Sequence, residues 1–315
     1  ALLSPESHKR GLAGRTGAIV VLSVPDGDVL ALSSQPTFDP NTLDDNWDRL
    51  RVDPAAPLLN RAAQGAYQPG AALQLLVLSE ALRQGAASLG AAPEFPDAPM
   101  AIDSQALACL AASRGEVVTL ADAFRAACPG PFADLGAALG SDALWALAAR
   151  WGLTETQVIG IESAAPLTQT IRLTDTRALR EFAAGQGPLT VTPLQMARVA
   201  ATLAARGAMP ATRIVSAIQA VDGAWLPVDR LPARRVLPAG IADQVASAMA
   251  RDDDRAWHAG IGLSGSSRLL WFIGFAPIDD PSYAVAILIE HQADSAASDR
   301  EAIEIGERLL AAVSR

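Results

Sequence analysis

Leu269-Leu-Trp-Phe-Ile-Gly-Phe-Ala-Pro-Ile-Asp-Asp-Pro-Ser-Tyr-Ala-Val-Ala-Ile-Leu-Ile-Glu290 holds two dense runs of β-branched and aromatic side chains around a Pro-Ile-Asp-Asp-Pro turn. Such runs favour strands, and a turn this short can only join antiparallel neighbours. Residues 301–313 follow with apolar side chains at helical spacing, which predicts an amphipathic closing helix. At the opposite end, Gly17-Ala-Ile-Val-Val-Leu-Ser23 and Asp28-Val-Leu-Ala-Leu-Ser33 flank Val24-Pro-Asp-Gly27, whose Asp-Gly pair signals a hairpin. Further strand character falls on residues 213–221 and 261–266. Strands at both termini with helices between them predict an α+β fold: one antiparallel sheet built from both ends and covered by helices, beside an all-helical subdomain.

The helices are read from the middle of the chain. Residues 35–57 form a polar, proline-rich crossing, and Tyr67-Gln-Pro-Gly70 then leads into a helix over 70–83 with Leu73, Leu76, Val77 and Ala81 in register. Residues 119–127, 141–151 and 192–206 have the same periodicity, the last opening on Thr192 and Pro193 as cap and first-turn residue. The expected division is a single domain of residues 1–315, with a sheet lobe at about 15–60 and 208–315 and a helical lobe at about 61–207.

Composition narrows the function. Half of the 315 residues are apolar, ample for a large core, and the net charge of −9 argues against a nucleic-acid partner. The longest apolar runs fall short of the ~20 residues that span a bilayer. Lys9 is the only lysine against 24 arginines, so lysine chemistry in a buried site is nearly excluded. Three scattered histidines and two cysteines offer no metal-ligand spacing, and no cofactor is expected. Cys109 and Cys128 fit either a disulfide, in an exported protein, or two buried inert thiols, which is the reading preferred.

Several stretches, in this order and spacing, resemble the transpeptidase domain of class B penicillin-binding proteins, of the serine β-lactamase-like superfamily. They are Gly17-Ala-Ile-Val-Val-Leu22, Ser34-Gln-Pro-Thr-Phe-Asp-Pro40, Pro57-Leu-Leu-Asn-Arg-Ala62, Tyr67-Gln-Pro-Gly70, Gly185-Gln-Gly187, Val191-Thr-Pro-Leu-Gln-Met-Ala197 and Leu270-Trp-Phe-Ile-Gly-Phe-Ala-Pro277. The resemblance implies D,D-transpeptidation of peptidoglycan by three motifs around one cleft: S-x-x-K, S-x-N and K-T-G. At the matching places the chain has Ala71 and Gln74 for the serine and lysine, Ala127 and Pro129 for the serine and asparagine, and Leu263-Ser264-Gly265 for the third motif. A methyl group at Ala71 has no lone pair to attack a carbonyl, and loss of a serine nucleophile alone costs on the order of 10⁶ in rate in a well-studied hydrolase.

The expectation is therefore a pseudoenzyme that binds a cell-wall precursor, a stem peptide or a divisome or elongasome protein outside the cytoplasm. The resemblance also implies a membrane anchor and a pedestal domain outside this chain. The residues expected to line a surviving cleft are Ala71, Gln74, Cys128, Trp257, Ser264, Ser266 and Ser267, with the backbone N–H groups of Ala71 and Ser266 as the oxyanion donors that the resemblance implies. Two rival readings are a hydrolase using Ser264, Ser266 or Cys128, and a structural domain whose cleft is filled by Leu73 and Leu263. The serines beside His258 are weighed as a relocated catalytic pair but read as turn chemistry. His8 and His291 are read as surface or packing residues, Asp252-Asp-Asp254 as a solvated turn, and Gly185-Gln-Gly187 as a structural loop, since no phosphate-loop lysine follows it.

Overall fold

Residues 269–290 and 17–33 do lie in one sheet, and the alternation of their side chains shows how it is covered. The structure, a computed structural model, describes residues 12, 14–110, 116–156, 159–164, 173–292 and 298–313. Lys9 and His8 lie outside the described residues. The sheet contains β1 (Thr16–Ser23), β2 (Val29–Gln35), β9 (Ala256–Ser264), β10 (Ser267–Ala276) and β11 (Tyr283–Gln292), in the order β2-β1-β11-β10-β9 with every pair antiparallel. In β11, Val285, Ile287 and Ile289 enter one apolar cluster while Ala284, Ala286 and Leu288 enter another. That period of two marks a strand buried on both faces.

Helix α9 (Glu301–Val313) covers the first face, against β10 and β11. A Cβ on Gly306 would lie 2.4 Å from the Phe272 ring, so glycine is what permits this close approach. Helix α7 (Pro193–Ala204) covers the other face across β1, β10 and β11. Its start is secured by a capping box in which Thr192 and Gln195 exchange side-chain-to-backbone hydrogen bonds. By contact, α7 belongs to the sheet layer, although its sequence position groups it with the helical residues.

The remaining helices are α1 (Leu43–Leu50), α2 (Gln74–Gln84), α3 (Leu120–Arg125), α4 (Pro129–Leu139), α5 (Ser141–Arg150), α6 (Thr176–Ala183) and α8 (Ala239–Met249). Helix α2 is the buried axis of this group, packed by α4, α5 and α8. Its Glu80 is buried and bonded to Arg83, Gln84 and Arg150, which ties α2 to α5. Small hairpins complete the chain: β3 (Met100–Ile102) with β4 (Gln105–Leu107), β5 (Ala208–Met209) with β8 (Arg234–Arg235), and β6 (Ala217–Gln219) with β7 (Trp225–Pro227). Among the described residues no helix is long and apolar enough to cross a membrane.

Several boundaries differ from the sequence reading. The strand expected over 213–221 shrinks to β6, because Ile218 and Val221 find no core and stay exposed. The strand expected over 261–266 runs from Ala256 to Ser264 instead, and Gly265 and Ser266 form the turn into β10, with Gly265 at φ 57°. Within the crossing over 35–57, α1 passed unnoticed because only Leu50 of its residues is buried. Helix α4 was hidden by Pro129-Gly-Pro131, yet proline is tolerated in a first turn, where its missing N–H costs nothing.

Candidate functional site

Pro69 and Gly70 steer the chain into a 3₁₀ turn, Gly70–Leu73, that runs directly into α2. Gly70 has φ 52° and donates its N–H to Gly185 O at 2.8 Å, and a Cβ on it would lie 2.3 Å from Ile261 O. Only glycine satisfies both demands. The turn thereby seats Ala71 against the middle of β9: a Cβ at Gly260 would be 2.3 Å from Ala71 Cβ and 3.3 Å from Ala127 Cβ.

Ala71, Gln74, Ala127 and Pro129 come together here, but Leu263-Ser264-Gly265, expected beside them as the third motif, does not: the β9 residues against Ala71 are Gly260 and Ile261. The β9 residue that joins them is Ile261, one pleat repeat before Leu263. Leu107, Ala108 and Leu110 close the remaining side, leaving about 10 Å³ for the centre of a water-sized sphere. That is room for one water at most. Gln74 is fully buried, its Nε2 donates to Cys128 O at 3.1 Å, and its Oε1 has no partner. A neutral amide fixed in this way has no basic lone pair with which to take a proton.

His258 lies behind this centre rather than beside any serine. Its Nε2–H donates to Ala71 O at 3.0 Å, its ring stacks on Phe124 at 4.3 Å, and its Nδ1 is buried with no partner. Burial, helped by the charge of Arg251 and opposed by the Ala71 hydrogen bond, pushes the imidazole down to about 3, so the ring is neutral at pH 7. Ser264 stands six residues further on, roughly 20 Å along the strand, and Ser266 lies in the turn beyond it. The pairing of His258 with these serines is excluded on distance. The same argument removes Ser266 N–H as an oxyanion donor next to Ala71, which contacts β9 at Gly260.

Cys109 and Cys128 form a disulfide, which corrects the reading of two free thiols and removes Cys128 as a nucleophile. The bond pins the segment after β4 over Ala71, and the same segment is held by Leu110 N–H donating to Ala126 O at 2.7 Å. Nothing in the spacing of the two cysteines marked 107–110 as a cover, because the contact depends on how β3 and β4 fold back over α4. Trp257 also departs from expectation. Its indole packs 5.3 Å from Phe272 with the Arg251 guanidinium 4.1 Å over its face, and it lines neither this cavity nor the next.

A second, open cavity of about 460 Å³ begins where β9 ends. Leu263, Ser264 and Gly265 line it together with Gln68, residues 102–105 of the β3–β4 hairpin, Glu181 and Gln186-Gly187. Ser266 is exposed and Ser267 pairs with Ser264 across the hairpin, so neither belongs to its wall. Leu263 therefore does not share the small cavity with Ala71, and Leu73 is buried in the core and lines neither cavity. Of these residues the sequence reading marks Leu263-Ser264-Gly265 as a motif position and Gln68 and Gly185-Gln-Gly187 as parts of the resembling stretches, the latter read as a structural loop, while Gln105 and Glu181 give no signal. Among the described residues no lysine, arginine or histidine lines either cavity, and no cluster of His, Cys, Asp and Glu could hold a metal ion.

Comparison with known proteins agrees with the fold. Residues 17–311 match the family model described as the penicillin binding protein transpeptidase domain. The Peptidoglycan D,D-transpeptidase PbpA of Mycolicibacterium smegmatis is 31% identical over 331 residues, covering 95% of this chain and 67% of that protein. PbpA of Mycobacterium tuberculosis is 30% identical, covering 94% and 66%. The chain thus spans about two thirds of the length of these relatives. The crystal structure of PBPA from Mycobacterium tuberculosis superposes with a TM-score of 0.83 at 27% identity, covering 98% of this chain and 77% of that one. Its ceftriaxone acyl-enzyme complex gives 0.85.

Proposed function

The chain belongs to the penicillin-binding protein transpeptidase family, and we propose that within it this domain is a catalytically silent member that binds wall-peptide chemistry and scaffolds peptidoglycan synthesis. The observation that carries this reading is the closed centre at Ala71: a methyl group in the nucleophile's place, a fixed amide at Gln74 in the base's place, and space for one water where a scissile bond would have to lie. Acyl transfer needs a hydroxyl or thiol within hydrogen-bond reach of a base. Neither partner is present at the centre. The hydroxyls of Ser264 and Ser266 are remote from the buried ring of His258, and Cys128 is tied up in its disulfide.

Binding is favoured over an inert plug because the polar cavity beside Leu263 remains open next to the closed centre. Several relatives are named peptidoglycan D,D-transpeptidases, which points to a wall precursor, a stem peptide or a protein of the wall-synthesis assembly as partner. The Cys109–Cys128 disulfide suits action outside the cytoplasm, where thiols are not kept reduced. The test is incorporation of labelled stem peptide into cross-linked dimers by the purified protein. No dimer above a protein-free control is expected, and dimer formation overturns the reading.

A further inference from the structure

A third cavity lies at the other edge of the sheet, where β2 gives way to the crossing that carries α1. β1, β11 and β10 separate β2 from β9, so this cavity is remote from the centre at Ala71. It is open, has a volume of about 280 Å³, and is lined by residues 36–39, by one face of α1, and by Asp53, Ala55 and Pro57. The lining is apolar where it is deepest, with Leu50 and Pro57 buried and Phe38 half-buried.

The polar part of the lining carries charges of both signs that do not meet. Arg49, Asp39 and Asp53 all line the cavity, yet among the described residues none of them enters an ion pair, and the α1 pair is Arg51 with Asp48 instead. Asp45 stands one turn before Arg49, the spacing at which a carboxylate usually meets a helical arginine. Arg49 nevertheless makes a single long bond, 3.4 Å, to Asn46 Oδ1, which leaves most of its five donors unused. Each carboxylate is anchored to its own turn. Asp39 Oδ1 accepts from the backbone N–H and the Nδ2 of Asn41, both at 2.9 Å, and Asp53 Oδ1 accepts from Ala55 N–H at 2.9 Å. The second oxygen of each has no hydrogen bond among the described residues.

Separated opposite charges beside an apolar lining select for a ligand that carries both charges and an apolar body. A simple anion meets two carboxylates, a simple cation meets Arg49, and a neutral sugar gains from neither. We propose that this cavity binds a free α-amino acid with an apolar side chain: its carboxylate on Arg49, its ammonium on Asp53 and Asp39, and its side chain against Phe38, Leu50 and Pro57. Asp53 is half-buried and Asp39 exposed, so Asp53 is the stronger of the two anchors. A guanidinium matches a carboxylate with two parallel N–H donors, and an ammonium offers three donors to carboxylate oxygens. The volume lies near the small end of ligand pockets, which suits one amino acid rather than a peptide. The site shares no residue with either cavity around β9, so it stands or falls independently of the catalytic reading.

The experiment is NMR or calorimetric titration of the whole domain with four probes: L-leucine, N-acetyl-leucine, leucinamide and N-acetylglucosamine. Leucine binds with saturation and shifts the amide signals of α1. The two capped forms each lack one charge and bind at least about tenfold more weakly. Arg49→Gln weakens leucine about tenfold and does not weaken leucinamide, whereas Asp53→Asn weakens leucine by as much and does not weaken N-acetyl-leucine. A merely structural role for these residues would lower the affinity for every probe alike. Equal affinity for leucine and either capped form, binding of the sugar as tight as that of leucine, or no saturable binding of leucine by a protein whose circular dichroism is native overturns the proposal.

Discussion

Gly260→Ala adds one methyl group where none fits. The new Cβ would stand 2.3 Å from Ala71 Cβ, against the ~3.5–4.0 Å at which carbon atoms rest, so more than 1 Å must be found by moving β9 or the Gly70–Leu73 turn. Neither moves freely: Gly70 is wedged on Ile261 O, and Gly262 already approaches Gln68 O and Gly70. Overpacking of this kind costs about 1–3 kcal/mol. With an unfolding entropy of about 0.7 kcal/mol/K for a chain of this length, the midpoint falls by about 2–4 °C. The partner variant gives the decisive comparison. In Ala71→Gly/Gly260→Ala the clashing methyl is gone and the next neighbours are Ala127 Cβ at 3.3 Å and Ala71 Cα at 3.4 Å. Part of the lost stability returns, offset by up to about 1 kcal/mol for glycine in a helical turn. Urea denaturation of the parent, both single variants and the double variant should give a coupling energy of about 1–2 kcal/mol in the compensating direction. If Gly260→Ala is as stable as the parent, or the two changes simply add, then Ala71 is not packed against β9 and the closed centre has been misread.

Reduction of Cys109–Cys128, or Cys109→Ser/Cys128→Ser, frees a chain segment closed over a separation of 19 residues. It should cost about 3 kcal/mol in urea unfolding, and an unchanged midpoint under reductant would show that the bond does not constrain the chain. His258 should make the fold acid-sensitive. Its pKa is pushed down to about 3 in the folded state, below the ~6.5 of an unfolded histidine. The unfolded chain therefore binds a proton that the fold refuses. Stability is complete above about pH 6.5 and is lost as pH falls toward 3, at up to about 1.4 kcal/mol per unit. His258→Gln should flatten that slope relative to the parent between pH 6 and 4.5, and parallel slopes would contradict a buried neutral ring.

Much of the fold was legible because burial writes itself into periodicity. β1, β10, β11 and α9 carry enough apolar side chains in register to be read from the residues alone, and α7 announces its start with Thr192-Pro-Leu-Gln195. What escaped was local structure without a core-facing stripe, such as α1 and β7, and the part of β9 before Ile261, a strand whose Gly260 and Gly262 dilute its character. Those glycines are there because Ala71 and Gly70 press against them. The places of Ala71, Gln74, Ala127 and Pro129 were implied by the family resemblance, but their closure was not. It depends on Leu107, Ala108 and Leu110 arriving from a separate hairpin, and on a disulfide whose alternative, two buried thiols, has the same composition. The second cavity was illegible for a related reason. Its glutamines are distant in sequence, and they are held by backbone carbonyls that have no side-chain signature.

The central claim is that no nucleophile operates in this domain, and the intact mass of the purified protein after incubation with excess benzylpenicillin tests it most directly. A serine transpeptidase that opens the lactam ring gains the mass of the whole drug as an acyl-enzyme. A domain with alanine at position 71 should keep its mass unchanged, at every time point and over the full range of drug concentration. A stoichiometric adduct, mapped by peptide digestion to any serine, would contradict the claim and return the protein to the catalysts of its family.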